Sequence, residues 1–298
     1  MTSDKSIVLN LMTEKGFEVL KTVSRFQKLI AFVIIGKDKN IEIDYSDQIK
    51  DFCKDNDIDF YYREDHPKID KTQYILAISW QWMINHPKNK LIIFHDSILP
   101  KYRGFSPLVN MLVNGEKEIG VSAIFGSDEY DKGEIISQKS TVISYPIKIF
   151  EAIQLNIENY KILASEIFNK ISKGQKISSI PQKESDSSYS IWRNDDDYYI
   201  DWNKSSYEIK RLIDAVGFPY LGARSKLNDD SEIIIKDAMI YPDVDCELRD
   251  IGKVIFIDQG YPIIICGSGL LKITDASFIK TDLSSNFLPI KKFRLRFK

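Results

Sequence analysis

Cysteine is scarce in this chain: Cys53, Cys246 and Cys266 are three in number and far apart in 298 residues. An odd, scattered set excludes a disulfide framework and the paired spacing of a zinc site. It reads as reduced thiols in a cytoplasmic protein, with no metal expected. Histidine is equally sparse, with His66 and His86 each before a proline and His95 at the end of an apolar run. No apolar run approaches the ~20 residues of a membrane helix, and the polar start Met1 to Ser6 does not read as a signal peptide. A net charge of −2 lacks the basic footprint of a nucleic-acid binder. No Gly-x-Gly-x-x-Gly follows the first apolar run, where only Gly16 stands, so the first turn is a poor phosphate cradle.

What is present is a chain 43% hydrophobic and 28% charged, enough for one large domain or two. Short apolar runs at Ile7–Met12, Leu29–Ile35, Ile58–Tyr62, Tyr74–Trp80 and Leu91–Phe94 read as strands, and helical patterns at 14–23 and from Ser46 onward fall between them. Ser46 is the expected N-cap of the second helix, with Ile49, Phe52 and Cys53 as its inner face. Strands alternating with helices predict a parallel, doubly wound α/β sheet of Rossmann-like outline. From Ile149 to Ile171 the apolar residues recur at spacings of four and three, one stripe of an amphipathic helix that Gly174 closes. A Ser/Lys/Asp/Glu-rich stretch, 178–189, reads as a linker. Beyond it, β-type runs at 232–236, 253–257, 262–266 and 270–274 predict a small, mostly-β, OB-like domain. The basic and apolar residues alternating over 291–298 read as a charged edge strand.

The run Leu91 to Pro107 organises the chain. An apolar strand opens it, and a polar turn with His95, Ser97, Lys101, Tyr102, Arg103 and Gly104 follows. Open α/β sheets place ligands at such carboxyl ends of strands. The stretch resembles the signature of the N10-formyltetrahydrofolate-dependent formyltransferases, Asn-x-His-x-Ser-x-Leu-Pro-x-Tyr/Trp-Arg-Gly-x-x-Pro. His95, Ser97, Leu99, Pro100, Tyr102, Arg103, Gly104 and Pro107 match, and Ile93 stands in place of the asparagine. A second block, Gly120-Val121-Ser122 and then Asp131 to Gln138, is similar to the family's Gly-Val-Thr…Asp-x-Gly-x-Ile-x-x-Gln. Ile191-Trp192-Arg193, Asp201-Trp202 and Phe218 to Ala223 resemble parts of its second domain. The resemblance implies a formyltransferase domain over 1–177 and a C-terminal domain over 190–298.

Formyl transfer to an amine needs a base for the amine proton and a donor for the developing oxyanion. Histidine suits the first task near neutral pH, typically contributing ~10²–10⁴-fold. The resemblance implies His95 as general base and Asp131 as its partner. Read without it, Asp131-Lys132-Gly133 is ordinary turn chemistry. It further implies N10-formyltetrahydrofolate as co-substrate, Trp82, Met83, Ile84 and Tyr130 at the folate, and Ser97, Lys101, Tyr102, Arg103 and Gly104 at the acceptor. Ile93 cannot donate from its side chain. A backbone N–H or the His95 imidazolium takes over, or the chain is a slow catalyst, or it binds folate and sugar nucleotide without turnover. Retention of both His95 and Asp131 favours the first reading.

The family includes enzymes that formylate methionyl-tRNA, glycinamide ribonucleotide and nucleotide-linked amino sugars. A tRNA enzyme needs clustered positive charge, whereas residues 190–298 carry 16 Lys+Arg against 17 Asp+Glu. The His95-Asp96-Ser97 opening and the Trp80-Gln81-Trp82 segment look most like the sugar-modifying branch. The expected acceptor is therefore the amine of a nucleotide-linked amino sugar, for polysaccharide biosynthesis. Methionyl-tRNA is the alternative. No nucleic-acid or membrane partner is expected, and such enzymes are often homodimers.

Overall fold

The computed structural model describes residues 5–38, 41, 43–279 and 287–298. Among them the chain divides into two compact units, Met1–Pro107 with Glu118–Val142 and Ala152–Ile191, and Leu108–Lys117 with Ile143–Glu151 and Trp192–Lys298.

The first unit is built on a seven-stranded sheet. Its strands are β1 (Ile7–Leu11), β2 (Ile30–Ile35), β3 (Phe60–Tyr62), β4 (Tyr74–Ile78) and β5 (Leu91–His95), followed by a two-residue β6 (Arg103–Gly104) outside the sheet, then β7 (Glu118–Phe125) and β8 (Ile135–Val142). The order is β3-β2-β1-β4-β5-β7-β8. The first five run parallel and the β5–β7–β8 edge is antiparallel. The expected doubly wound sheet is therefore present and carries an antiparallel extension. β1 and β2 are buried at every residue, which is why they read as continuous rather than alternating apolar runs, interrupted only by Asn10 in β1. α1 (Thr13–Val23) and α2 (Ser46–Asp55) flank the parallel strands, and α4 (Ile149–Ser172) supplies Tyr160, Leu163, Ala164, Ile167 and Phe168 to the same core as Leu9, Leu76 and Ile92.

Some local expectations are corrected. Ser46 is the first helical residue of α2 and left-handed Tyr45 is its N-cap, without a side-chain cap; the Asp44 carboxylate accepts from the Ser46 amide and hydroxyl at 3.0 and 2.8 Å. The stretch 178–189 packs on the first unit: Ile180 bridges Ile135, and the residues just beyond, β9 (Tyr189–Ser190), pair in parallel with β6.

The second unit centres on a five-stranded antiparallel sheet, ordered β10 (Ala223–Lys226), β11 (Glu232–Tyr241), β14 (Leu270–Phe278), β13 (Tyr261–Ile265), β12 (Val254–Asp258). α5 (Ser206–Ala215) packs on β11 and β14. It starts at a capping box in which Ser205 and Glu208 satisfy each other's backbone amides. α3 (Pro107–Asn114) supplies most of its residues to this unit. The terminal run 291–298 forms only two isolated bridges, Lys253 to Arg296 and Leu227 to Phe297, instead of an edge strand. Phe297 is buried there, edge-on to Trp202.

No described helix is long and apolar enough to cross a membrane.

Candidate active site

β5 decides where the chemistry sits. Strand alternation puts Ile92 and Phe94 on the face packed by α1 and α4 and sends Leu91, Ile93 and His95 to the other. His95 ends the strand and is buried. Its Nε2 lies 2.7 Å from the Tyr102 carbonyl oxygen. A carbonyl only accepts, so Nε2 carries the hydrogen and donates, which in a neutral ring leaves the lone pair on Nδ1. Nδ1 is 3.5 Å from Asp131 Oδ1. The ring is thus oriented by Tyr102, and Asp131 stands where it would face an imidazolium once Nδ1 has taken a proton.

Asp131 is itself fixed. Its Oδ2 accepts from the Gly104 amide at 2.8 Å, and its backbone is left-handed at φ +56°. Gly104 has φ +99°, and a Cβ there would lie 2.5 Å from the Ser190 carbonyl oxygen, so only glycine lets β6 approach β9 and present its amide. Gly104, expected at the acceptor, holds Asp131.

Other expected acceptor contacts are turned inward as well. Ser97 is fully buried, its hydroxyl donating to Lys101 O at 2.7 Å. Arg103 is 1% exposed. Its Nε donates to Gln182 Oε1 at 3.0 Å, and one terminal nitrogen reaches both Glu184 carboxylate oxygens at 3.0 and 2.9 Å and Tyr189 Oη at 3.3 Å. Burial pulls the guanidinium pKa down, but Glu184 and Tyr189 outweigh it and leave it raised; Glu184 is lowered in return, mainly by its hydrogen bond to Arg103. Nε and this terminal nitrogen are committed within the protein. Tyr102 contributes its carbonyl. Lys101 alone of this group is exposed.

The second motif block explains itself here. Gln138 Nε2 donates to Leu99 O at 2.8 Å and to Ser122 Oγ at 2.7 Å, while Ser122 Oγ donates to Ser97 O at 2.6 Å and accepts from Leu99 N at 3.0 Å. Both residues clamp the loop that carries Tyr102. From the other side Ser188 Oγ accepts from Tyr102 N at 3.0 Å and Ser188 O from Arg103 N at 2.9 Å. Gln182, Glu184, Ser188 and Ser190 all fall in or beside the stretch read as a linker, and nothing in its polar composition distinguishes them from solvated residues. Asp96, next to His95, is paired with Lys15 of α1. Burial first, then the charge and hydrogen bond of Asp96, push the Tyr160 hydroxyl well above its ordinary pKa.

The segment after β4 lies on the His95 face, since Trp80 and Ile84 pack on the same apolar cluster as Ile93. Trp82 is half-buried, 5.1 Å from Trp80 and with the Arg63 guanidinium 4.4 Å over its ring. Met83 is 67% exposed and Tyr130 is 62% exposed, the latter 6.0 Å from Phe105. Ile93 is wedged between that cluster and Leu99, Ile124 and Ile135. Asn10, 3% exposed, stands in register with Ala77, which pairs in turn with Ile93, and its Oδ1 is buried with no hydrogen-bond partner among the described residues. An apolar, aromatic face with an unmet acceptor suits a flat ligand bearing N–H groups. No metal-ligating cluster occurs among the described residues.

Residues 71–149 match the family model described as formyl transferase, and residues 194–285 match that of the formyl transferase C-terminal domain. The chain is similar to a methionyl-tRNA formyltransferase of Borrelia hermsii, 34% identical over 185 residues, 61% of this chain; the match spans 58% of that relative's length. Two solved structures share the fold. One is WlaRD, described as a sugar 3N-formyl transferase in the presence of dTDP and 5-N-formyl-THF, with TM-score 0.68, 19% identity and coverage of 93% of this chain and 98% of that one. The other is an N-formyltransferase from Helicobacter canadensis in complex with folinic acid and dTDP-3-aminofucose, with TM-score 0.66, 18% identity and coverage of 90% and 98%.

Proposed function

The chain belongs to the formyltransferase family, its two matches together spanning more than half of the 298 residues, and we propose that it moves a formyl group from N10-formyltetrahydrofolate to the amine of a nucleotide-linked amino sugar. The observation that carries the chemistry is the His95 ring, locked through Nε2 onto the Tyr102 carbonyl with Nδ1 turned to Asp131. Nδ1 takes the proton of the attacking amine, and the carboxylate of Asp131 stabilises the imidazolium that results. Burial of His95 and partial burial of Asp131 reduce solvent screening and strengthen that pairing. Bound N10-formyltetrahydrofolate supplies the activated formyl group. Trp82 and Ile84, with Ile93 behind them, would hold its flat ring, and Asn10 Oδ1 would accept from it.

Three observations support the sugar nucleotide. The neighbours crystallised with dTDP or a dTDP-amino sugar align over nearly the whole chain, residues 190–298 carry no net positive charge, and Lys101 is left exposed beside the site. The methionyl-tRNA relative keeps tRNA as the competing acceptor. The test is a mass-spectrometric turnover assay. Purified protein and N10-formyltetrahydrofolate are offered UDP-, TDP-, GDP- and CMP-linked amino sugars, with methionyl-tRNA alongside and His95→Asn as control. A formylated sugar nucleotide that vanishes in the variant is the expected result. Formylation of the tRNA alone replaces the acceptor, and folate binding without any product refutes the catalytic reading.

A further inference from the structure

A glutamine carboxamide offers one oxygen acceptor and two N–H donors, and Gln182 uses them all. Its Oε1 accepts from Arg103 Nε at 3.0 Å, and its Nε2 donates to the main-chain oxygens of Asp131 at 2.6 Å and Gly133 at 2.8 Å. Arg103 only donates and carbonyls only accept, so the partners fix which end of the amide is which. The two carbonyls belong to a turn with little freedom of its own: Asp131 is left-handed, and a Cβ on Gly133 would meet the Phe125 carbonyl oxygen at 1.6 Å. Arg103, the third partner, is anchored by Glu184. One side chain thus ties together the loop that orients His95, the turn that carries Asp131 and the stretch of chain that follows α4.

We propose that Gln182 is a positioning residue of the transfer, setting the Asp131 carboxylate at its working distance from His95 Nδ1. This rests on the roles given to His95 and Asp131 above. Around the turn Arg103 is paired with Glu184 and Lys132 with Glu129. The Asp131 main-chain carbonyl accepts from Gln182 Nε2.

Two variants test it. Gln182→Met removes all three hydrogen bonds at similar size. Gln182→Glu keeps an acceptor for Arg103 and sets a carboxylate against the two carbonyls. Both lower kcat about 10–100-fold, the scale of a catalytic group displaced by up to 1 Å, with both KM values held within about twofold. Independently of turnover, the ring ¹⁵N resonances of His95, identified by loss in His95→Asn, move in both variants while those of His66 and His86 stay. Wild-type kcat in Gln182→Glu, or unmoved His95 resonances in both variants, overturns the proposal. A wild-type protein that forms no product overturns the functional reading instead, and the resonances then decide Gln182 alone.

Discussion

Replacing Ile93 by asparagine is a gain-of-function test of the site. Ile93 and His95 share a face of β5 and sit two residues apart, so the amide introduced by Ile93→Asn would rise about 6–7 Å along the strand from His95. The wild-type imidazole does not substitute for such a donor. Its Nε2 hydrogen is committed to Tyr102 O, and Nδ1 is reserved for the amine proton. An oxyanion donor is worth about 2.7–4 kcal/mol of barrier, or ~10²–10³ in kcat. The opposing term is packing. Ile93 is partly buried against two apolar clusters, and losing that burial costs about 1–2 kcal/mol, which lowers Tm by about 2–8 °C for units of this size. The variant is therefore expected to be less stable and faster. Single-turnover mass spectrometry at saturating donor, with Tm measured in parallel, checks both numbers. An unchanged or lower kcat with the expected Tm loss would refute the reasoning, because it would show that an existing group already serves the oxyanion.

Three more outcomes are expected. Arg103→Lys lowers stability by about 1–3 kcal/mol through loss of the charged hydrogen bonds to Gln182 and Glu184 and leaves the acceptor KM unchanged; a large KM rise with full stability would restore Arg103 to the acceptor. Gly133→Ala drives a methyl into the Phe125 carbonyl, so kcat falls with the displaced Asp131 turn, about 10-fold or more, and wild-type kcat in a folded variant counts against Asp131. Burial pushes the Cys53 and Cys266 thiols from 9.0 to about 12. The unfolded chain loses these protons first, so stability is full below pH 9 and falls above it by about 1.4 kcal/mol per pH unit per thiol; urea midpoints from pH 8 to 11 should fall less steeply in Cys53→Ala/Cys266→Ala, and an equal slope contradicts the assignment.

The strands were legible because a parallel sheet covered on both faces demands near-continuous apolar runs, as Ile7 to Leu9 and Val33 to Ile35 show. His95 was legible because it alone of the three histidines ends such a run, and its motif extends the signal through Pro107. The pairing of Arg103 with Glu184 and Gln182 was not legible because a motif gives residue order without direction: the same guanidinium can serve an anion or a neighbouring glutamate. Gln182 and Ser188 were invisible because their hydrogen bonds reach back 49 and 86 residues, across distances at which a polar stretch carries no local pattern. Ser46 was misplaced as the cap for a smaller reason: Asp44 takes both its amide and its hydroxyl, so Ser46 enters the first helical turn and Tyr45 becomes the N-cap.

The two-residue pairing of β6 with β9 has a bearing on how the protein is made. His95 leaves the ribosome well before Gln182, Glu184, Ser188 and Ser190, the residues that close over its loop. At the usual ~5–20 residues per second, His95 waits on the order of 5–20 s for them. During synthesis Arg103 precedes Glu184 and Tyr102 precedes Ser188, so these contacts form last. A fragment ending at residue 177 keeps every strand of the main sheet and lacks these contacts.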